Sequence, residues 1–127
     1  QRHLSDEMIK AITGRDGVIG LVFAEGMLNP ELNFDAPDTW PQNARRPMSA
    51  VVDHIDHICQ LTGNCDHVAI GSDLDGGYGT EQTPGDLDTI ADLQKLDGLL
   101  RTKGYKTEDI EAIFHGNWLR FFRGVWS

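Results

Sequence analysis

Two continuous apolar runs constrain this chain more than any other feature. Residues 17–23 read Gly-Val-Ile-Gly-Leu-Val-Phe, and residues 67–72 read His-Val-Ala-Ile-Gly-Ser. Neither alternates polar with apolar positions, so neither suits a strand with one wet face. Unbroken apolar strands belong in sheets covered on both faces, typically parallel ones. Helical patterns flank both runs. Ser5 opens the first helix, Asp6 and Glu7 suit its positive end, Met8, Ile9 and Ile12 form its apolar face, and Gly14 stops it. A second helix is predicted over residues 48–61, with the stripe Val51, Val52, Ile55, Ile58 and Cys59 and a stop at Gly63. Leu87, Ile90, Leu93, Leu96, Leu99 and Leu100 mark a third helix, ending near Gly104. Thr107 caps the last, with Glu108 and Asp109 in its first turn and Ile110, Ile113, Phe114, Trp118, Phe121 and Phe122 as a broad apolar face. Residues 26–47, rich in Pro, Asn and Asp, form a long loop of the kind that is functional or mobile.

Helices alternating with apolar strands imply an α/β fold with a parallel sheet. Two parallel strands leave open edges and cannot cover the helices predicted around them. The chain therefore reads as one partial domain over residues 1–127, the C-terminal part of a (β/α)8 TIM-type barrel: its last two strands and their surrounding helices. Made alone, such a chain is expected to aggregate, to fold poorly, or to associate through the aromatic face of its last helix. The expected partners are the missing N-terminal part of the barrel or further copies of the chain as a homo-oligomer.

The 127 residues carry 11 Lys and Arg against 20 Asp and Glu, a formal net charge of -9. That balance repels phosphate backbones and anionic membrane surfaces, which argues against nucleic acid as a partner. No apolar run reaches membrane-spanning length, so no transmembrane segment is expected. The two cysteines, Cys59 and Cys65, fit neither a disulfide framework nor a zinc knuckle, and read as reduced thiols. The sequence does not set a compartment; the cytoplasm is favoured.

Chemistry in a barrel sits at the C-terminal ends of strands. Asp73 follows the second apolar run directly, with Gly71, Gly76 and Gly77 allowing close backbone approach. A carboxylate there can shuttle a proton beside a metal. Asp73 and Asp75 also suit a plain turn, and spacing alone leaves the two readings level. An EF-hand reading of Asp73-Leu74-Asp75-Gly76 fails, because the fifth and sixth positions are Gly77 and Tyr78 and the twelfth is Pro84. His54 and His57 share a helix face, but their helix carries a core stripe, and a structural role is preferred, with Asp53 and His57, four apart, pairing on the surface or orienting one another. His67 and His115 lack partners at ligand spacing. Arg2 is a solvated side chain by its surroundings alone, though a guanidinium binds a carboxylate with two parallel hydrogen bonds. Ser49 and Ser72 lack a nucleophile elbow, and Gly71 to Gly79 match neither the Rossmann nor the P-loop spacing.

Five ordered segments together resemble the renal (membrane) dipeptidase family, within the amidohydrolase-like superfamily. Arg2-His3-Leu4-Ser5-Asp6-Glu7 is similar to that family's R-N-L-(S/T)-D-E segment, and Gly17-Val18-Ile19-Gly20 to its next strand. Asp53-His54-Ile55-Asp56-His57-Ile58 matches its D-H-x-D-H-I helix, and Ile70 through Gly77 its G-(S/G)-D-F-D-G strand end. Gly116-Asn117-Trp118-Leu119-Arg120 resembles its closing G-N-x-L-R. The resemblance implies a metallo-dependent hydrolase barrel carrying two zinc ions and hydrolysing dipeptides. It further implies that a metal-bridging hydroxide attacks the peptide carbonyl, that Asp73 carries the proton from that water to the leaving amine, and that Arg2 binds the substrate carboxylate. The family's zinc ligands all precede the segment that begins here, so none is expected in this chain. His3 stands where the family has Asn, and His115 where it has a small or apolar residue. The isolated chain is accordingly expected to bind no zinc pair and to be inactive. Two rivals remain: a non-catalytic binding or scaffold homologue on the same barrel, and another metal-dependent amidohydrolase acting on a lactone or cyclic amide.

Overall fold

The computed structural model describes residues 3–33, 35–41, 43–74 and 76–127. Helix α1 (Asp6–Thr13) begins where the Ser5 hydroxyl accepts the Met8 backbone N–H at 3.3 Å, as its sequence predicts. Strand β1 (Ile19–Val22) follows, then a single turn α2 (Glu25–Leu28). Helix α3 (Ser49–Thr62) ends at Gly63, whose φ of 78° is the left-handed cap that lacks a steric penalty only in glycine. Strand β2 (Val68–Ser72) is next, then α4 (Lys95–Lys103), α5 (Thr107–Glu111) and α6 (Asn117–Trp126). A π-helical turn, Ala112–Gly116, joins the last two.

β1 and β2 pair in parallel, with Ile19 opposite Val68 and Gly20 opposite Ala69. The long connection between them carries α3, whose Val51, Val52, Ile55, Ile58 and Cys59 are all buried. α3 packs on both strands, and the π turn and α6 pack on β2. Each of these aliphatic side chains contributes about 1.5 to 3 kcal/mol by leaving water. Leu96 and Leu100 of α4 with Ile110 and Ile113 extend the same core, and Phe23 and Met48 close it at the loop side. Cys59 and Cys65 are free and buried within it, as expected for reduced thiols. The parallel pair thus meets its expected order and direction.

Several sequence expectations change in detail. β1 is half-buried throughout, and β2 is buried only at Val68 and Ala69, because two strands leave open edges that would lie inside a complete sheet. The predicted third helix is shorter. Pro84 and Gly85 hold the chain irregular, a 3-10 turn covers Ile90–Gln94, and only then does α4 begin, so Leu87 reaches the core from a loop. Thr107 is the first helical residue rather than the cap. Lys106 precedes it, and the Asp109 carboxylate accepts the Lys106 backbone N–H at 3.4 Å. The 26–47 loop also contains most of α2 and a 3-10 turn at Pro37–Thr39.

The aromatic face of the last helix is partly used. Trp118 lies over the strand pair and donates its indole N–H to the Ile70 carbonyl at 2.9 Å. Phe122 stacks on Trp118 and Trp126 on Phe122, at centroid distances of 5.6 and 4.7 Å, and Trp126 is 78% exposed.

Candidate active site

The C-terminal ends of the two strands meet at an irregularity. Leu21 pairs with Ile70, but Val22 pairs with Ser72, so Gly71 is an extra residue in β2. A bulge of this kind bends its strand and re-aims the side chains after it. A Cβ at Gly71 would lie 2.7 Å from the backbone carbon of Gly20, and only glycine permits that approach. The Phe23 N–H donates to the Ser72 carbonyl at 2.8 Å, which holds the ends of both strands together beyond the bulge.

Asp73 stands immediately past this point and is exposed. Ser72 and Asp73 have φ of 49° and 61°, left-handed values that cost a non-glycine residue about 1 to 3 kcal/mol and that cluster at functional sites. The surrounding backbone holds the strained geometry. The Asp73 N–H donates to Gly71 O at 2.8 Å, and Gly76 N–H donates to Asp73 O at 3.1 Å. A side chain at Gly76 would collide with the Asp73 carboxylate, so the glycine there is a spatial requirement. Gly77 differs. Its φ is 97° with open space around it, so it serves the turn and not close approach. Asp75 and Arg2 lie outside the described residues.

Two further buried polar groups were not singled out by sequence reasoning. Glu25, just beyond β1, is fully buried, and neither carboxylate oxygen has a hydrogen-bond partner among the described residues. Burial pushes its pKa up, against the pull of the nearby Arg46 backbone N–H and then of the Arg46 and Arg45 charges. Its sequence signal was available: Glu25 is the first ionisable residue after the first apolar run, as Asp73 is after the second. Tyr78, five residues past Asp73, has a buried hydroxyl with no partner among the described residues. Burial, reinforced by the negative charge of Asp73, pushes its phenol up to about 12. No motif marks Tyr78, because nothing local dictates that its hydroxyl go unmatched.

The histidines lie elsewhere. His57 Nε2 meets Asp6 Oδ1 of α1 at 2.8 Å, while Asp53 pairs with Lys103 at 3.2 Å, so the expected Asp53–His57 pair gives way to two contacts between helices. His54 faces His3 at a ring-centroid distance of 5.9 Å, and burial, with the His3 charge second, lowers its pKa. With His57 they line a cleft of about 170 Å³ beside β1 and α3, away from Asp73. His67 Nδ1 contacts the Gly17 carbonyl at 2.9 Å and joins the strand starts. Among the described residues, no three His, Cys, Asp or Glu side chains converge as a metal site. Among the described residues, a metal pair does not fit the donors this segment offers at its strand ends, where Asp73 joins no cluster of three such side chains.

A carboxylate at the end of a parallel strand, on a bulged and strained turn, stands where enzymes of the α/β-barrel class carry their catalytic groups. The chain belongs to the membrane dipeptidase family, peptidase family M19, whose sequence profile matches residues 1–126. It is 34% identical over 126 residues to a Klebsiella pneumoniae protein encoded in the pqqA 5′ region, covering 99% of this chain and 42% of that one. It is 32% identical over 124 residues to dipeptidase ataJ of Aspergillus terreus, covering 98% of this chain and 27% of the relative. A Rhodobacter sphaeroides metallopeptidase, solved with a phosphinate mimic of the dipeptide L-Ala-D-Ala, superposes with a TM-score of 0.73 at 29% identity. That superposition covers 92% of this chain and 30% of the other. The chain therefore spans about a quarter to two fifths of its relatives' length, and its strand pair and helices form a portion of their metallopeptidase barrel.

Proposed function

We propose that a family-length protein carrying this segment is a zinc-dependent dipeptidase in which Asp73 moves the proton. The observation that carries the reading is the placement of Asp73: exposed, at the C-terminal end of β2, on a backbone held in a strained conformation by Gly71 and Gly76. Hydrolysis of a peptide bond splits water between an acyl carbon and a leaving amine. The amine leaves readily only when protonated, so one group must take a proton from water and deliver it. A carboxylate with an ordinary aqueous approach can do both. The zinc ligands would come from parts of a family-length chain that this segment does not represent. Arg2, by resemblance, would pair its guanidinium with the substrate's free carboxylate.

The test is Asp73→Asn in such a protein. Fold and metal content are expected to persist, and kcat to fall about 10²- to 10⁴-fold. Near-normal turnover would remove Asp73 from the reaction. Absence of dipeptide hydrolysis by the unsubstituted protein would remove the dipeptidase reading itself.

A further inference from the structure

The catalytic face of an α/β barrel is built from the loops that follow its strands. Here those loops are residues 23–48 after β1 and 73–89 after β2, and they are tied together at one junction. Arg45, in the first loop, grips the second. Its Nε donates to the Thr83 carbonyl at 2.9 Å, and its Nη2 to the Pro84 carbonyl at 2.9 Å and to the Thr83 hydroxyl at 3.3 Å. That hydroxyl in turn donates to the Leu87 carbonyl at 2.7 Å. Two neighbouring contacts repeat the tie. The Gly85 N–H donates to the Arg46 carbonyl at 2.8 Å, and the Asp86 carboxylate accepts the Met48 N–H at 2.7 Å. Thr83, Pro84 and Leu87 are buried, so the junction is a packed one. Asp88 meets Nη2 only at 3.8 Å and is mostly exposed, so that ion pair adds little.

The loop so gripped begins at Asp73. It leaves β2 through Ser72 and Asp73, both at left-handed φ, and returns at Tyr78, near enough to Asp73 to feel its charge. Thr80, Thr83 and Leu87 then line one cleft with Leu74, the residue after Asp73. A strained backbone keeps its geometry only while its surroundings over-determine it. The hydrogen bonds from Asp73 N–H to Gly71 and from Gly76 N–H to Asp73 belong to the turn itself and travel with it. The far end of the loop is held from outside, by Arg45. We propose that Arg45 is a positioning residue for Asp73: by fixing the far end of the loop, it keeps the carboxylate where the bulged strand end aims it. The inference rests on the reading of Asp73 as the proton carrier. A guanidinium suits the task, because its planar fork bridges two successive carbonyls and an ammonium does not.

The experiment is a double-substitution cycle in a family-length protein carrying this segment, with kcat and KM measured on Ala-Ala. Arg45→Ala is expected to lower kcat about 10- to 100-fold and to leave KM within about threefold, since a carboxylate displaced by about 1 Å loses rate before it loses binding. In the Asp73→Asn background the same substitution is expected to change kcat less than about twofold, because the group that Arg45 positions is already gone. Equal losses in both backgrounds, or an undiminished kcat in Arg45→Ala, would overturn the proposal. If Arg45→Ala does not fold, Arg45→Lys runs the same cycle: it keeps the charge, loses the fork, and is expected to show the same pattern with a loss of about three- to tenfold. A second readout needs no turnover. Hydrogen exchange of the Asp73 and Gly76 amides is expected to quicken about tenfold in Arg45→Lys, while the amides of β1 stay within about twofold. Unchanged exchange at Asp73 and Gly76 would overturn the positioning alone. Near-normal turnover in Asp73→Asn would overturn the proton-carrier reading, and the exchange rates would then decide whether Arg45 holds the loop.

Discussion

The side-chain amide of Asn117 donates to the Val68 carbonyl at 2.8 Å, and its second hydrogen reaches the Cys65 carbonyl at 2.6 Å. One buried side chain thereby anchors the start of α6 to the start of β2, where those carbonyls lie outside the strand pairing. Asn117→Leu keeps the volume and removes both donors. It is expected to destabilise a family-length protein by about 2 to 4 kcal/mol, since two buried acceptors are left unmatched. Urea denaturation checks this, and an unchanged midpoint would show the amide to be dispensable.

Gly71→Ala addresses the bulge. Its new Cβ would press on the Gly20 backbone, which cannot rotate aside as a side chain can. The expected cost is about 1 to 3 kcal/mol, with a loss of turnover larger than the loss of folded protein, because Asp73 is displaced. Thermal melting and activity, measured on the same sample, separate the two effects.

Glu25 supplies a pH dependence with a definite sign. Its folded pKa is raised by burial, so the folded state holds a proton that the unfolded state releases. Its contribution to stability is complete below the ordinary carboxylate pKa near 4.5 and is lost as pH rises through the folded value. Glu25→Gln, permanently neutral, is expected to be more stable than the unsubstituted protein at pH 7 and equal to it near pH 4. Denaturation midpoints across that interval provide the check. A variant less stable at pH 7 would mean that the charges of Arg45 and Arg46 outweigh the burial.

Arg2 is tested through its substrate. Arg2→Lys retains the charge but loses the planar two-point fork. Turnover of dipeptides is expected to fall about tenfold or more, while dipeptide amides, which lack the free carboxylate, change far less. Equal losses on both would assign the guanidinium another task.

Much of the architecture was legible from local pattern. Ser5, Gly63 and the stripe from Val51 to Cys59 act within a few residues of themselves, and their helices begin and end within a residue or two of the expected places. The third helix shows the limit. Leucine spacing extends the pattern back to Leu87, but Thr83 and Pro84 tie that stretch to Arg45 through hydrogen bonds at 2.9 Å across the fold. Periodicity cannot register such a contact, and long-range hydrogen bonding prevailed over the local preference.

The sequence by itself determined the α/β order, the parallel pairing of two apolar strands, the acidic surface and the position of Asp73 at a strand end. Each depends on hydrophobic period or on a residue's own backbone preference. Only tertiary structure decided that Gly71 is an extra residue in β2, that His57 meets Asp6 instead of Asp53, and that the Glu25 carboxylate and the Tyr78 hydroxyl are buried without hydrogen-bonding side-chain partners among the described residues. Those outcomes depend on which surfaces meet across 50 or so residues of chain, as between Asp6 and His57, and on burial, which no single residue type specifies.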